Sequence, residues 1–181
     1  MKNDVIFLQG GGSGAYSEDM ELVSSLQEKL GSKYNVSYPS VYNEDYPQYE
    51  SWKQAIESAS HASPGKLIYV AHSLGAYFLI KYLTEEKISR ELAAICMIAP
   101  PYPGGDKNWI FDGFSLLENF GDKLPKDCTI FIYHSSDDDV VPFAHMNMYA
   151  HQIPRAITRE TAGGHQMGND LSVVANDIKN L

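Results

Sequence analysis

Residues 66–86 read KLIYVAHSLGAYFLIKYLTEE, and two different periodicities meet inside this stretch. KLIYVAH is short and apolar on successive positions, the pattern of a strand buried on both faces. LGAYFLIKYLTEE is longer and made of good helix formers, so it reads as a helix packed behind that strand. Ser73 stands at the junction, with Ala71 two residues before it and Gly75 two residues after. A turn tight enough to join strand to helix here admits only small side chains at those two positions. This is the A-x-S-x-G form of the G-x-S-x-G nucleophile elbow, with Ala71 one methyl larger than the usual glycine. Such a turn lifts the Ser73 hydroxyl above the sheet and aims the Leu74 amide at the same spot.

The same alternation extends in both directions. VIFLQ (5–9), LAAICMIAP (92–100) and CTIFIYH (128–134) read as buried strands, with YNVSYP (34–39) and RAITRET (155–161) as weaker ones. Between them, a helix capped by Ser17 and ended by Gly31 places Met20, Val23, Leu26 and Leu30 at helical spacing. A second opens at Pro47 with Trp52, Ile56 and Ala59 on one face, and others cover 142–153 and 169–181. Strands alternating with helices of this length imply βαβ units. The expectation is a single domain over 1–181: an α/β, three-layer α/β/α sandwich around a mostly parallel sheet of about six strands. In such sheets ligands bind beyond the carboxyl ends of the strands, so the chemistry belongs just after each strand.

Composition narrows the partners. The chain has 181 residues, 44% hydrophobic and 20% charged, which fits a globular protein with a substantial core. Fourteen Lys and Arg against 23 Asp and Glu give a net charge of −9. With no basic run to offset it, nucleic acid is not an expected partner. No apolar stretch reaches the roughly 18 residues of a membrane span, and the N-terminus lacks the features of a signal peptide. Cys96 and Cys128 both lie inside apolar runs, the mark of buried free thiols in a reducing compartment. A cytoplasmic location without membrane insertion is expected, as a monomer or weak dimer.

A serine nucleophile needs a base, and the base needs an orienting acid. After the fifth strand comes YHSSDDDVVP (133–142), and after the sixth comes TAGGHQMGN (161–169). His165 is the candidate base, and Asp137, Asp138 and Asp139 compete for the acid role. AHSLGA, SSDDDVVP and AGGHQ together resemble the small serine hydrolases of the α/β-hydrolase superfamily. The likeness is to the compact, lidless group of retinoblastoma-binding serine hydrolases and their bacterial relatives, and it covers nearly the whole chain. It implies a minimal α/β-hydrolase fold and a Ser73–His165–Asp138 triad, because in that group the acid lies four residues before the proline of D-x-x-x-P, here Pro142. Where many relatives have His-Gly after the first strand, this chain has Gln9-Gly10. The L-x-C-x-E motif of retinoblastoma binding is absent, so that partner is not implied.

The run QGGGSGA after the first strand has two readings. G-x-G-x-x-A on Gly10, Gly12 and Ala15 resembles a dinucleotide fingerprint, but a helix starting near Ser17 or Glu18 would sit too far off to hold a pyrophosphate, and the second strand brings no ribose-binding acid. The alternative needs one backbone amide for an oxyanion: Gly11 is the first choice and Gly12 the second, paired with Leu74. The aromatic loop 101–114, with Tyr102, Trp109, Phe111 and Phe114, either covers the core or walls a substrate pocket with Gly12 and His72. The segment 38–49 is a candidate for the facing wall. His72 is expected to pack beside the nucleophile, and His61 and His134 to lie on surface or loops. His145 and His151, six apart on a helix, do not share a face, so neither metal nor cofactor is expected. The sequence thus points to hydrolysis of small or medium carboxylic esters, small molecules being the partners. A thioesterase or amidase, a non-catalytic binding protein on the same fold and a dinucleotide-dependent oxidoreductase are the alternatives.

Overall fold

The structure, a computed structural model, describes residues 3–63, 65–86, 90–110 and 112–181. Among the described residues six strands form one sheet: β1 (Asn3–Leu8), β2 (Tyr34–Ser37), β3 (Leu67–His72), β4 (Leu92–Ile98), β5 (Thr129–Ser135) and β6 (Ile157–Thr161). Their order is β2-β1-β3-β4-β5-β6, and every pairing is parallel. Alternating residues of each central strand divide between two apolar clusters. Ile6, Leu8, Tyr69, Met97 and Ile132 face α2 (Tyr49–Ala62), α3 (Leu74–Glu85), α4 (Phe120–Lys123) and α5 (Ala144–Gln152). Val5, Phe7, Val70, Cys96 and Phe131 face α1 (Ala15–Leu30) and α6 (Ser172–Lys179). Burial on both faces is why these strands carry unbroken apolar runs. The expected three-layer α/β/α sandwich is the fold.

The strand order reverses direction between β1 and β3, which opens a crevice at their carboxyl ends. The glycine run follows β1 and Ser73 follows β3, so topology alone makes them neighbours. Packing tightens the approach: a methyl on Gly75 would lie 2.2 Å from the Gln9 carbonyl oxygen. Cys96 and Cys128 are buried free thiols. No helix of the described residues is long and apolar enough to cross a membrane.

Local expectations fail in three places. Helix α1 starts at Ala15 rather than at Ser17, after a left-handed turn at Gly14 (φ 83°). Its buried stripe is Ala15, Asp19, Leu22, Leu26 and Leu30, whereas Met20, expected inside, is 46% exposed. His134, expected on the surface, is fully buried on β5, on the same side of the strand as Ile130 and Ile132. The short helix α4 and the buried position of His145 on α5 were signalled by no pattern in the sequence.

Candidate active site

The elbow sets the geometry. Ser73 has φ 52° and ψ −127°, a conformation that costs an L residue about 1–3 kcal/mol and persists only where its surroundings impose it. Its amide donates to the Ile98 carbonyl on the neighbouring strand (2.8 Å), and the Gly75 contact clamps α3 against β1. Ala71 puts its extra methyl into the core on the α2–α3 side. The Ser73 side chain then meets His165, whose Nε2 lies 3.0 Å from Oγ.

His165 follows β6 in a loop tied to the acid-bearing turn after β5. Asp137 accepts the Gly163 and Gly164 amides at 3.0 Å, and Asp138 accepts the His165 Nδ1–H at 2.9 Å through Oδ2. The other oxygen of Asp138 accepts the Val140 and Val141 amides, both at 2.9 Å. His134 Nε2–H donates to the Val141 carbonyl (2.8 Å) and lies 3.3 Å from Asp138 Oδ2. Asp139, the third candidate acid, is exposed. Burial alone would raise the Asp138 carboxyl, but the bonds from His134, His165 and Val141 hold it well below the ordinary carboxylate range. Because that carboxylate can only accept, His165 carries its proton on Nδ1, and the Nε2 lone pair faces the serine hydroxyl. Burial holds His165 below its ordinary value of 6.5, with the His72 charge adding to the effect against Asp138. This arrangement can take a proton from Ser73.

The amides of the glycine run are not equivalent. Gly10 N–H donates to Asp19 Oδ2 (2.7 Å), and Gly12 N–H donates to the Glu44 carbonyl (2.8 Å). Among the described residues none accepts from Gly11 N–H, and Leu74, first residue of α3, has no preceding turn to bond. A methyl on Gly11 would lie 2.7 Å from Pro47 Cγ and 2.8 Å from Leu74 Cδ1, so these residues close tightly on each other.

Segment 38–49 reaches this loop through Glu44. Its carboxylate accepts Gln9 Nε2–H at 2.5 Å, Tyr16 N–H at 2.8 Å and Gly14 N–H at 3.2 Å. The start of α1 is thus capped by a carboxylate of the same chain. The glycine loop is shorter than the sequence suggests, so loop length does not exclude a pyrophosphate; the Glu44 charge on the first helical amides does.

The expected pocket residues scatter. Gly12 borders the loop just described, and His72 is buried behind the nucleophile. Trp109 packs on a cluster of Val41, Trp52, Tyr77, Phe78 and Phe114, as does Leu74. Tyr102 instead lines a separate cavity of about 550 Å³ with Phe114, Leu116, Asn119, Phe120 and Gln152, which includes neither Ser73 nor His165. Phe111 lies outside the described residues. His145 holds the aromatic loop: its Nδ1 accepts the Tyr102 amide (2.9 Å) and its Nε2 faces Asp106 (3.1 Å). Both nitrogens are thus used within the chain, and His151 is exposed.

The residue the sequence reading missed is Asp19. By type and position it is an acid at a helix start, yet it is 1% exposed and touches Gly10, His72 and Gln166. Its place in the Ala15–Leu22–Leu26 stripe is the signal that could have found it.

The chain superposes on solved structures along nearly its whole length. The ydeN gene product of Bacillus subtilis matches over 99% of this chain and 98% of its own, at 20% identity and TM-score 0.69. Est1E of Butyrivibrio proteoclasticus matches over 99% and 86%, at 16% identity and TM-score 0.71. The Pyrococcus furiosus esterase Pf2001 matches over 99% and 80%, at 16% identity and TM-score 0.68. These likenesses establish the α/β-hydrolase fold. No curated protein sequence matches the chain. A family model described as serine hydrolase matches residues 15–170, a span that begins at α1 and takes in Ser73, the acid-bearing turn and His165, and so the chain belongs to the serine hydrolase family.

Proposed function

We propose that the chain is a carboxylesterase-like enzyme that cleaves small or medium carboxylic esters through an acyl-enzyme on Ser73. The observation that carries this reading is the unbroken line from Ser73 Oγ to His165 Nε2 (3.0 Å) and from His165 Nδ1 to Asp138 Oδ2 (2.9 Å). Ser73 Oγ attacks the ester carbonyl carbon while its proton passes to His165 Nε2. The carbonyl oxygen becomes an oxyanion, held by the Gly11 and Leu74 amides, neither of which has an acceptor among the described residues. As the C–O bond breaks, the alcohol leaves with the proton from His165. Water then attacks the acyl carbon, gives its proton to His165, and Ser73 departs as the hydroxyl with that proton. Asp138 keeps the imidazole in the tautomer each transfer needs.

Segment 38–49, which reaches the glycine loop through Glu44, carries exposed Tyr42 and Tyr46, apolar surface available to an acyl or alcohol group. The net charge of −9 favours neutral over anionic esters. Ser73→Ala is the direct test against p-nitrophenyl esters of increasing acyl length. Turnover should fall by about 10⁴–10⁶-fold with the fold intact; a variant retaining most of the activity would overturn the proposal.

A further inference from the structure

Behind the nucleophile lies a second carboxylate and imidazole that the proposed reaction does not use. Asp19, on the buried face of α1, accepts the Gly10 amide through Oδ2 (2.7 Å) and Gln166 Nε2–H through Oδ1 (3.1 Å). His72 Nδ1 lies 2.8 Å from the same Oδ1, out of line for a hydrogen bond but in close charge contact. His72 Nε2 is 3.0 Å from the backbone carbonyl of His165. The two side chains are 1% and 2% exposed.

The protonation of this group follows from its partners. A carbonyl oxygen only accepts, so Nε2 of His72 must carry a hydrogen. Burial opposes a charge on Asp19, but the neighbouring imidazole and the bonds from Gly10 and Gln166 hold its carboxyl below the ordinary value, which makes it the carboxylate. An unprotonated Nδ1 at 2.8 Å would set a lone pair against that negative oxygen, whereas a protonated one sets opposite charges together. Burial opposes a charged imidazole, but the adjacent Asp19 outweighs it and raises His72 above its ordinary value, aided by the His165 carbonyl and, more weakly, Asp138. These are the groups that face it from α1, from the loop after β6 and from the turn after β5.

We propose that Asp19 and His72 form a buried carboxylate–imidazolium pair whose two members are positioning residues for the serine site. The claim rests on the reading of Ser73 and His165 given above. Asp19 ties the oxyanion loop to the base loop through Gly10 and Gln166, and His72 fixes the base loop by the backbone of His165. The pair also keeps a positive charge 4.6 Å from the His165 ring, centroid to centroid. That charge disfavours protonation of the base in the resting site.

The test has two readouts. In ¹⁵N-detected histidine NMR of the intact protein at neutral pH, His72, assigned with the variant His72→Gln, should show both ring nitrogens protonated. In Asp19→Asn one nitrogen should become unprotonated. A wild-type His72 with an unprotonated nitrogen would overturn the pair, whether or not the protein is an esterase. In p-nitrophenyl acetate hydrolysis, His72→Gln should lose about 10- to 100-fold in kcat. It should also move the acid limb of kcat/KM up by at least about 0.7 pH unit, the Coulomb floor for unit charges at this separation in water. Asp19→Asn removes both charges of the pair and should move the limb less. An acid limb unmoved or lowered in His72→Gln would overturn the positioning role. Should His72→Gln fail to fold, the imidazole whose nitrogen signal changes between wild type and Asp19→Asn is His72, and wild-type kcat in folded Asp19→Asn would overturn the positioning role. Loss of the ester reading itself would appear separately, as activity surviving Ser73→Ala.

Discussion

Replacing Asp138 by Asn changes one atom of the carboxyl group, and the surroundings dictate how the amide must sit. If its oxygen keeps the place of Oδ1, the bonds from Val140 and Val141 N–H, both 2.9 Å, survive. The flipped amide would set its NH₂ against both donors, each unmade bond costing about 1–3 kcal/mol, so it is disfavoured. In the favoured orientation NH₂ replaces Oδ2 and points at His165 Nδ1. His134 Nε2–H keeps the Val141 carbonyl (2.8 Å) but loses its longer contact with Oδ2 (3.3 Å). His165 must then shift its proton to Nε2 to accept from the new amide, and Nε2 can no longer accept from Ser73. A wrong tautomer of this kind costs about 10⁴ in kcat, or about 5.4 kcal/mol of barrier. Steady-state hydrolysis of p-nitrophenyl acetate, with thermal melts to establish folding, measures it. Asp137→Asn, which weakens only the Gly163 and Gly164 contacts, should stay within about tenfold of wild type, and Asp139→Asn should be near neutral. Tenfold or less for Asp138→Asn, or an equal loss in Asp139→Asn, would refute the tautomer argument.

Three other outcomes are expected. Gly11→Ala introduces a methyl 2.7 Å from Pro47 Cγ and 2.8 Å from Leu74 Cδ1, so the loop must shift; kcat/KM should fall about 10²–10³-fold with little change in Tm. His165 acts as base only when neutral, and burial lowers it, so the acid limb of wild-type kcat/KM should have its midpoint below 6.5; a midpoint at or above that value would contradict the burial argument. Gly75→Ala drives a methyl to within 2.2 Å of the Gln9 carbonyl oxygen and 2.9 Å of that of Leu8, both backbone, and urea unfolding should show a loss of about 1–3 kcal/mol or more.

What could be read from the sequence was what neighbouring residues decide together. Strand β3 announces itself because burial on both faces demands an unbroken apolar run, and Ser73 because the turn behind it demands Gly75. His165 and the acid triplet were found because parallel strands deliver their following loops to one edge. What escaped depends on partners distant in the chain. Ser17 looks like a helix cap, yet the first turn of α1 takes its cap from Glu44, some thirty residues on, so the helix can start earlier at Ala15. Asp19 looks like a surface acid until His72 and Gln166 arrive beside it. His134 was readable: two positions beyond Ile132 on a strand buried on both faces, it shares the side of Ile130 and Ile132.

A Ser73 nucleophile activated by His165 should react with an active-site-directed fluorophosphonate. Mass spectrometry of the labelled, digested protein should place a single adduct on Ser73, and the label should be lost in a folded His165→Ala variant. Folded wild-type protein that remains unlabelled, or that carries the adduct on another residue, would contradict the account.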